Sequence, residues 1–394
     1  MNGQADRRPV MIVGAGIGGL TTALALLQRG VEVAVFEQAD QLGDVGAGLT
    51  MYPNATRVLE FLGLGPGMAD TAVVPADGGS RHWQTGELLR HSHDAVNARE
   101  TFGAPQFFMH RADLHELLAR AVTTSAPGCV RLGWSFESFQ ESAGEVVAWF
   151  ENGERVSGRA LIGCDGLRSR VRACLAGPDE PRFTGAVTWR GLIPMERLSA
   201  ELRTPTSCIW TGPGHAFLRY PVRRGELMNY VAHTAQGSWA EESWKLLTPV
   251  ENVLAEYRGW DRLLLEVIRQ TPPEYCFKWA LFDRDPLSVW GNGRVTLLGD
   301  AAHPALPFLG QGAGMAIEDA MVLARCLAGC DDVPAALRRY EAVRQPRCHW
   351  VQLAARANGV RFFQTDPARD ATITQHTPEQ EQALRHYNAM TVDL

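Results

Sequence analysis

Three glycines near the start of the chain have the spacing of a phosphate-binding turn. Gly14, Gly16 and Gly19 lie between an apolar run at 10–13 and a helical pattern at 20–28. A strand that turns tightly into a helix directs free backbone N–H groups and the positive end of the helix dipole at a pyrophosphate. Glycine suits such a turn because a Cβ would block the phosphate. The pattern predicts a dinucleotide site; the alternative is a glycine-rich turn that binds nothing.

An acidic residue follows at the position that a dinucleotide needs. The next apolar run, 31–36, ends in Glu37. A carboxylate at the end of the second strand of such a unit accepts hydrogen bonds from the adenosine ribose. The order strand, glycine turn, helix, strand and acid therefore indicates a bound dinucleotide, and the spacing fits NAD and FAD equally.

A second polar motif follows another apolar run almost three hundred residues later. The segment 299–304 (GDAAHP), which contains Asp300, comes directly after the apolar residues 295–298, and the segment 311–314 (QGAG) precedes a predicted helix. The N-terminal amides of that helix could face the pyrimidine edge of an isoalloxazine ring and stabilise the negative charge that reduction places there. Together the two motifs suggest a flavin. The alternative for the second motif is a helix start whose glycines serve packing alone.

Composition limits the class of protein and its partners. The chain has 394 residues, of which 45% are hydrophobic, and a formal net charge of −6, which is typical of a globular enzyme of two domains and disfavours nucleic acid as a partner. An apolar stretch at 10–27 imitates a secretory signal, but glycines interrupt it. No apolar run reaches the length of about 20 residues that crosses a bilayer, so we expect a soluble, cytoplasmic protein. The eight cysteines are scattered without a CxxC pair, so we expect no disulfide framework and no metal site.

The order of the predicted elements indicates an α/β fold with a discontinuous, Rossmann-like FAD-binding domain. We expect that domain at 1–178 and 283–345, an inserted mixed β-sheet substrate domain at 179–282, and C-terminal helices at 346–394. The inserted region is rich in Trp, Tyr and Phe. Its strand candidates are 187–193, 207–210, 216–222, 227–233 and 275–282. Helices are expected at 250–257, 262–268, 317–327 and 333–343, with another beyond Pro346.

The motifs together resemble those of the class A flavin-dependent aromatic hydroxylases, the group around salicylate hydroxylase, 3-hydroxybenzoate 6-hydroxylase and 6-hydroxynicotinate 3-monooxygenase. The likeness spans nearly the whole chain and rests on three segments in the family's order: GAGIGG at 14–19, GCDGLRS at 163–169, and GDAAHP at 299–304 continuing to GQGAG at 310–314 and EDA at 318–320. Three ordered motifs are more specific than any one of them.

This resemblance implies a role for each cofactor-binding residue. The glycine turn would take the ADP part of FAD, Glu37 the adenosine ribose, Arg111 the phosphate and ribityl region, and Asp300 a ribityl hydroxyl. Close backbone contacts would come from Gly48, Gly312 and Ala313, and Asp165 would serve both FAD and the nicotinamide cofactor.

The resemblance also implies the reaction. NADH or NADPH reduces FAD, O2 then gives a C4a-hydroperoxyflavin, and a small aromatic substrate is hydroxylated. A second Rossmann fingerprint is missing from the sequence, which fits a reductant that binds transiently over the flavin. The alternatives are a flavin-dependent oxidoreductase or epoxidase acting on a non-phenolic substrate, a non-catalytic binding module, and a halogenase, whose WxWxIP signature is absent. The oligomeric state, monomer or homodimer, stays open.

The candidate catalytic residues are Arg190 in the segment 189–191 (WRG) and Tyr220, at motif positions that the family uses in its active site. An arginine could hold a carboxylate or a phenolate, and a tyrosine could hydrogen-bond the substrate's hydroxyl. Further substrate candidates are His215, His233, Pro307 and Phe308. Family members with phenolic acid substrates carry a histidine four residues before the tyrosine and a polar residue after the GDAAHP segment. This chain has Ala216 and Pro307-Phe308 there, which disfavours a direct transfer of their substrates.

Overall fold

The computed structural model describes residues 8–43, 47–76, 78–92, 96–142, 144–235, 246–364 and 377–394, which form a mixed α/β fold. Its strands are β1 Val10–Val13, β2 Val33–Glu37, β3 Gly48–Met51, β4 Gly78–His82, β5 Leu88–Ser92, β6 Phe107–His110, β7 Val130–Leu132, β8 Phe136–Ser142, β9 Glu145–Phe150, β10 Arg155–Gly158, β11 Ala160–Gly163, β12 Arg182–Pro194, β13 Cys208–Gly212, β14 His215–Val222, β15 Leu227–Ala235, β16 Leu246–Leu247, β17 Cys276–Asp283, β18 Gly291–Asn292 and β19 Val295–Leu297. Its helices are α1 Ile17–Leu27, α2 Pro53–Phe61, α3 Gly65–Thr71, α4 Ala98–Phe102, α5 Arg111–Ser125, α6 Arg170–Ala176, α7 Val250–Glu256, α8 Arg262–Arg269, α9 Gly312–Ala328, α10 Val333–Gln364 and α11 Pro378–Arg385.

A six-stranded sheet carries the sequence motifs at its edge. Its order is β18-β19-β11-β1-β2-β7, and all neighbours are parallel except the pair β18 and β19. The strands β1 and β11 are buried along their whole length, as continuous apolar runs in a parallel sheet are. Since β1, β11 and β19 run parallel side by side, the segments that follow them meet at one edge. The glycine turn, Asp165 and Asp300 come from those three segments.

An eight-stranded sheet faces the motifs from the other side. Its order is β16-β17-β12-β15-β14-β13-β4-β5, and it is antiparallel except where β13 meets β4. One face packs on α7 and α8 through a separate apolar core that includes the buried Trp210, Phe217 and Tyr230. Because side chains alternate along a strand, the residues between them point to the opposite face. We call that opposite face, which carries Arg190, Tyr220 and His233, the inner face.

The predicted strands and helices of the 187–282 region are confirmed, whereas three strands of the same sheet were not predicted: β4, β5 and the two-residue β16. The strands β4 and β5 come from residues 78–92, inside the range expected for the FAD-binding domain. Of these, β4 pairs with β13, and β5 pairs with β4. These strands are short and include Gly78 and Gly79, so neither shows a clear apolar alternation. Smaller sheets join β8, β9 and β10, and β3 with β6. In the described part of the chain, no helix combines the length and apolar character needed to cross a membrane.

The C-terminal region differs from the expectation at Pro346. Instead of separate helices before and after this proline, one helix, α10, continues through it from Val333 to Gln364. Proline removes one backbone hydrogen bond and disfavours a helix interior. Here Arg344 and Arg347, on either side of Pro346, both form ion pairs with the buried Glu318 of α9. Tertiary contacts therefore hold the helix together where local preference would end it.

Candidate functional site

The glycine turn between β1 and α1 contains two kinds of glycine. Gly14 has a φ of +99°, and a Cβ there would lie 2.5 Å from the carbonyl oxygen of Cys164. A Cβ at Gly19 would lie 1.9 Å from the carbonyl oxygen of Gly14. A Cβ at Gly16 would meet no atom of the described residues within 4 Å, its own chain neighbours and helix aside. The protein itself requires Gly14 and Gly19, while Gly16 borders open space in front of α1.

The same turn is held by side chains from two other elements. Glu37 accepts hydrogen bonds from the backbone N–H groups of Ala15 at 2.8 Å and Ala39 at 3.0 Å. The carbonyl oxygen of Ala15 lies 2.7 Å from Nε2 of His115 on α5. None of the described side chains caps the N-terminus of α1. The turn is therefore fixed in shape while the first amides of the helix remain available to an acceptor.

Asp300 lies in a recess behind the end of β19. It belongs to a short 3-10 helix, Gly299–Ala301. Solvent reaches its side chain, yet desolvation by the surrounding protein raises the pKa of its carboxyl despite the attraction of Arg111. A group that is both solvent-accessible and desolvated lies deep within a cleft. Gly312 borders the same cleft, since a Cβ there would come within 3.9 Å of Asp300 Oδ1.

The start of α9 presents hydrogen-bond donors to this cleft. The helix begins at Gly312 and Ala313, and in the part of the chain that the structure describes no side chain caps it. The preceding Gln311 is buried, and its Nε2 has no hydrogen-bond partner among those residues. Its Oε1 accepts a hydrogen bond of 3.0 Å from Asn54 Nδ2. Uncapped amides and an unpaired amide group both favour a bound acceptor at this position.

A buried carboxylate of α9 itself holds the start of this helix in place. Glu318 accepts hydrogen bonds from Asn54 Nδ2 at 2.6 Å and from Arg347 at 2.7 and 2.8 Å. Arg344 Nη2 lies 2.7 Å from Oε2 of the same carboxylate. Burial alone would raise the pKa of Glu318, but the two arginines outweigh it and hold that pKa below its usual range. Through Asn54, this charged group orients Gln311.

The neighbouring Asp319 orients the turn that carries Asp300. It accepts hydrogen bonds from Arg344 Nε at 2.7 Å and from the backbone N–H of Gly299 at 3.1 Å, and His303 Nε2 lies 2.6 Å away. Burial opposes ionisation of Asp319, yet His303 and Arg344 lower its pKa well below the usual range. With Cys348, these side chains include three possible metal ligands within 4.8 Å of one another. Arg344 already supplies the cation that Asp319 needs, so the cluster acts as a buried ion network.

Asp165, the acid of the middle motif, caps a helix. Its carboxylate accepts hydrogen bonds from the Ser169 hydroxyl and from the backbone N–H groups of Arg170 at 2.7 Å and Val171 at 3.1 Å. Burial raises its pKa, and these hydrogen bonds oppose that effect. The carboxylate thus shapes the loop between β11 and α6, beside the glycine turn, instead of pointing freely into the cleft.

On the inner face of the eight-stranded sheet, Arg190 is held by an aromatic ring. Its guanidinium carbon lies 4.2 Å from the ring centre of Trp279, and its Nε has no hydrogen-bond partner in the described ranges. Burial, with some repulsion from Arg111, lowers the pKa of Arg190 to about 10. The group therefore remains a cation at neutral pH, with hydrogen-bonding capacity unused by the protein.

Tyr220 lies near Arg190 on the same face, with β15 between their strands. Burial raises its pKa to about 12, against the opposing attraction of Arg190 and a hydrogen bond with Thr50. A Cβ at Gly48 on β3 would lie 2.6 Å from the Tyr220 ring, and the Gly48 N–H donates to Asn229 Oδ1 at 2.9 Å. Gly48 therefore lets β3 approach the inner face closely. Tyr220 is a hydrogen-bonding phenol at neutral pH and does not ionise.

The remaining substrate candidates fall on two sides of the sheet. His233 and Phe308 share the inner side, with ring centres 5.0 Å apart, and Pro307 begins the short 3-10 helix Pro307–Leu309 that carries Phe308. His215 points to the other face, where Nε2 is 2.7 Å from Glu256 and the ring packs on Tyr257. The structure thus brings His233 and Phe308 towards Arg190 and separates His215 from them.

Several residues at the site gave no sequence signal that singles them out. The inner-face residues Trp279, Asn229 and Thr188 belong to correctly predicted strands, and strand alternation could have identified their side. Asn54 lies in the first turn of α2, and only the packing of α2 against α9 brings it to Gln311. Its part in the cleft depends on a contact between residues more than 250 positions apart.

Comparison with known proteins identifies the family of this chain and its cofactor. An FAD binding domain family model matches residues 7–354. The chain is 36% identical to a 3-amino-4-hydroxybenzoate 2-monooxygenase of Streptomyces platensis over 96% of this chain and 94% of the relative. It is also 36% identical to 3-hydroxybenzoate 6-hydroxylase 1 of Aquipseudomonas alcaligenes, over 88% and 87% of the two chains. Klebsiella pneumoniae HpxO, solved with FAD and uric acid, superposes with a TM-score of 0.83 at 27% identity, covering 98% of this chain and 94% of that one.

The fold and the site define a flavoprotein oxygenase. The chain belongs to the FAD binding domain family and, within it, to the FAD-dependent aromatic monooxygenases. The cofactor is FAD, and enzymes of this class also consume NAD(P)H and O2. The residues present fit the cofactor in three ways: the open space at Gly16, the recess at Asp300, and the unpaired amide of Gln311 beside the uncapped start of α9.

Proposed function

We propose that this enzyme hydroxylates a small aromatic acid or phenol bound between FAD and the inner face of the eight-stranded sheet. The observation that carries the proposal is Arg190, a partly buried cation stacked on Trp279 with an unpaired Nε. Such a group favours an anionic ligand such as a carboxylate or phenolate. The two monooxygenases named above act, by their names, on hydroxybenzoates, which combine a carboxylate with an electron-rich ring.

We further propose that the FAD-binding domain is Rossmann-like and discontinuous. Support comes from β19, which follows the region 179–282 and lies beside β11, the last strand of that sheet before it. The inserted sheet would comprise 179–282 together with the strands β4 and β5, and the segment after 345 would cover the FAD-binding domain. The boundary proposed at 345 lies within α10, so it does not separate two helices. It marks the place where the contacts of this one helix change.

The described residues suggest how FAD would be held. Gly14, Gly16 and Gly19 would receive the pyrophosphate and Glu37 the adenosine ribose. In the recess, Arg111 and Asp300 would hold the ribityl chain, while Gly312 and Ala313 would offer their amides to the ring. Gly48 would let β3 approach it, and Asp165 would shape the adjoining loop. Bound FAD supplies electron transfer from NAD(P)H and activation of O2.

The chain's own residues then orient the substrate and exclude water. Arg190 holds the anionic group, and the Tyr220 hydroxyl, which stays protonated, donates a hydrogen bond to an oxygen on the substrate ring. Phe308 packs against Phe362 and Phe363 of α10 and forms an apolar wall. Because the oxygen-transfer chemistry competes with release of hydrogen peroxide, a ring held in one orientation and shielded from water couples reduction to hydroxylation.

The test of this function is a panel of phenols and aromatic acids incubated with the flavin-loaded enzyme, NADH or NADPH, and O2. We expect at least one compound to stimulate nicotinamide oxidation and to gain one oxygen atom by mass spectrometry. Stimulated oxidation without any oxygenated product would indicate a reductase and contradict the proposal.

Replacing Tyr220 with phenylalanine is expected to leave FAD bound but to slow hydroxylation or to increase hydrogen peroxide release. The ring keeps its packing on Phe108 and Gly48, while the hydrogen bond to the substrate is lost. Loss of one such bond costs about 1 kcal/mol, or roughly fivefold in the rate of the coupled step. The measurement is the ratio of hydroxylated product to NAD(P)H consumed. Wild-type coupling in this variant would remove Tyr220 from the catalytic residues.

A further inference from the structure

His233 is a buried histidine on the inner face that the proposed mechanism has not used. It lies on β15, is 8% exposed, and faces the same side as Arg190 and Phe308. Its Nδ1 is 2.8 Å from the hydroxyl of Thr188, its cross-strand partner on β12. On the other side its cross-strand partner is Ala216 of β14, whose side chain is a single methyl group. The imidazole therefore stands beside a small neighbour on one flank and a fixed hydroxyl on the other.

Only one ring nitrogen of His233 is engaged. Nδ1 contacts Thr188, and within the described ranges Nε2 has no hydrogen-bond partner. A polar atom that the protein does not engage is available to water or to a ligand. The positive charge that acts on His233 is that of Arg190, the residue proposed to hold the substrate's anionic group. The unpaired nitrogen thus lies in the region where the proposed substrate would bind.

The imidazole is neutral at physiological pH. Burial, and to a smaller degree the positive charge of Arg190, lower the pKa of His233 to about 3. When Nδ1–H of a neutral imidazole donates to the Thr188 hydroxyl, Nε2 presents a lone pair. The residue is then an acceptor for a hydroxyl group and not a general base that keeps a proton.

We propose that His233 is a catalytic residue whose Nε2 accepts a hydrogen bond from the ring hydroxyl of the substrate while Arg190 holds the substrate's carboxylate. This inference rests on the function proposed above and deepens it. The enzyme would select aromatic acids that carry both groups. A neutral acceptor draws the hydroxyl hydrogen away from its oxygen without taking it, which increases the electron density of the ring for oxygen transfer.

Two substitutions separate the functions of the two ring nitrogens. The amide of asparagine occupies the position of Nδ1, so His233→Asn keeps the contact with Thr188 and removes the group at Nε2. The amide of glutamine reaches the position of Nε2, so His233→Gln keeps an acceptor there. Each variant is loaded with FAD, and flavin content and thermal unfolding are compared with the wild type.

The measurement is substrate binding without turnover. Three ring-hydroxylated acids, 3-hydroxybenzoate, 3-amino-4-hydroxybenzoate and 6-hydroxynicotinate, are titrated against their partners without the hydroxyl: benzoate, 3-aminobenzoate and nicotinate. Dissociation constants come from changes in flavin absorbance in the absence of NAD(P)H. For the wild type and His233→Gln we expect a preference of about tenfold for the hydroxylated member of at least one pair, and for His233→Asn a preference reduced severalfold, because Tyr220 still hydrogen-bonds the same oxygen.

The outcomes separate this inference from the proposed function. If the wild type binds none of the hydroxylated acids, the proposed substrate class is wrong, and the role proposed for His233 is then wrong as well. If the wild type shows the preference and His233→Asn keeps it, the function stands and His233 only packs against Thr188. Should His233→Asn fail to retain FAD, the Thr188→Val variant decides, because valine cannot hydrogen-bond Nδ1 and so removes the contact that would keep the Nε2 lone pair available. We expect it to reduce the preference severalfold, and an unchanged ratio would contradict the proposal.

Discussion

A valine at Gly16 is expected to abolish FAD retention while leaving the protein folded. A Cβ at this position meets no atom of the described residues within 4 Å beyond its own helix and neighbours, so the folded chain tolerates it. In the bound state, the same space would contain the pyrophosphate in front of α1. We expect FAD affinity to fall by roughly 3 kcal/mol, about a hundredfold or more, while the free energy of unfolding of the FAD-free protein changes by less than about 1 kcal/mol.

The matched control for this variant is Gly19→Ala, three residues further along the same helix. Its Cβ would lie 1.9 Å from the Gly14 carbonyl oxygen, so the backbone of the turn must move. This variant should lose stability even without FAD, by about 1–3 kcal/mol. The measurements are flavin content after purification and urea unfolding of the FAD-free proteins. Unchanged flavin content in Gly16→Val would overturn the assignment of the turn to the pyrophosphate.

Replacing Arg344 with methionine is expected to produce the largest loss of stability. Arg344 is fully buried and forms ion pairs of 2.7 Å with both Glu318 and Asp319, which are also fully buried. Methionine keeps the apolar length of the side chain but removes the cation, so the two carboxylates lose a shared partner. Breaking a buried ion pair in this way costs about 3–5 kcal/mol. Urea unfolding at pH 7 measures the loss.

An exposed ion pair provides the control for the Arg344 variant. Arg262 and Glu201 lie 2.6 Å apart with side chains 71% and 51% exposed. Arg262→Met should change the free energy of unfolding by no more than about 1 kcal/mol, because water screens the pair. Equal losses in the two variants would show that the network under α9 contributes no more than a surface pair.

The Arg344 variant should also respond to pH in a defined direction. In the wild type, His303 and Arg344 lower the pKa of Asp319 in the folded state. Ionised Asp319 therefore stabilises the fold at pH values above the pKa of this group in the unfolded chain. That contribution is lost as the pH falls through the lowered pKa of the folded state. Without Arg344, burial is less opposed, and the folded pKa of the carboxylates rises. Protonation then favours the folded variant, so its deficit relative to the wild type should shrink between pH 7 and pH 5. A deficit that grows on acidification would contradict this account.

Much of the cofactor side of the protein could be predicted from local sequence. The spacing of Gly14, Gly16 and Gly19 is a short-range property, and the steric contacts that require Gly14 and Gly19 arise within one turn and its adjoining strand. The strands β12 to β15 and β17 were predicted because alternating and aromatic residues identify strands within a few positions. The same alternation accounts for Trp189 in the core under α7 and α8 and Arg190 on the inner face.

Other features could not be predicted because they depend on contacts between distant segments. The strands β4 and β5 join the inserted sheet through the pairing of β4 with β13, more than a hundred residues away. The helix α10 continues through Pro346 because Arg344 and Arg347 pair with Glu318. Asp165, the acid of the middle motif, accepts a hydrogen bond from the first residue of α6. Sequence spacing alone does not distinguish such a contact from a contact with a ligand.

The two histidines show where the sequence stops and the tertiary structure decides. By itself the sequence determined the glycine turn, the acid at Glu37, the motif around Asp300 and the membership of most strands, since each is a property of neighbouring residues. It left His215 and His233 as equal candidates. Only the registration of β14 and β15, and the packing of α7 on one face of their sheet, put His215 beside Glu256 and His233 beside Arg190. The face that a strand presents to a cleft is set by what packs on its other face, and that is a long-range property.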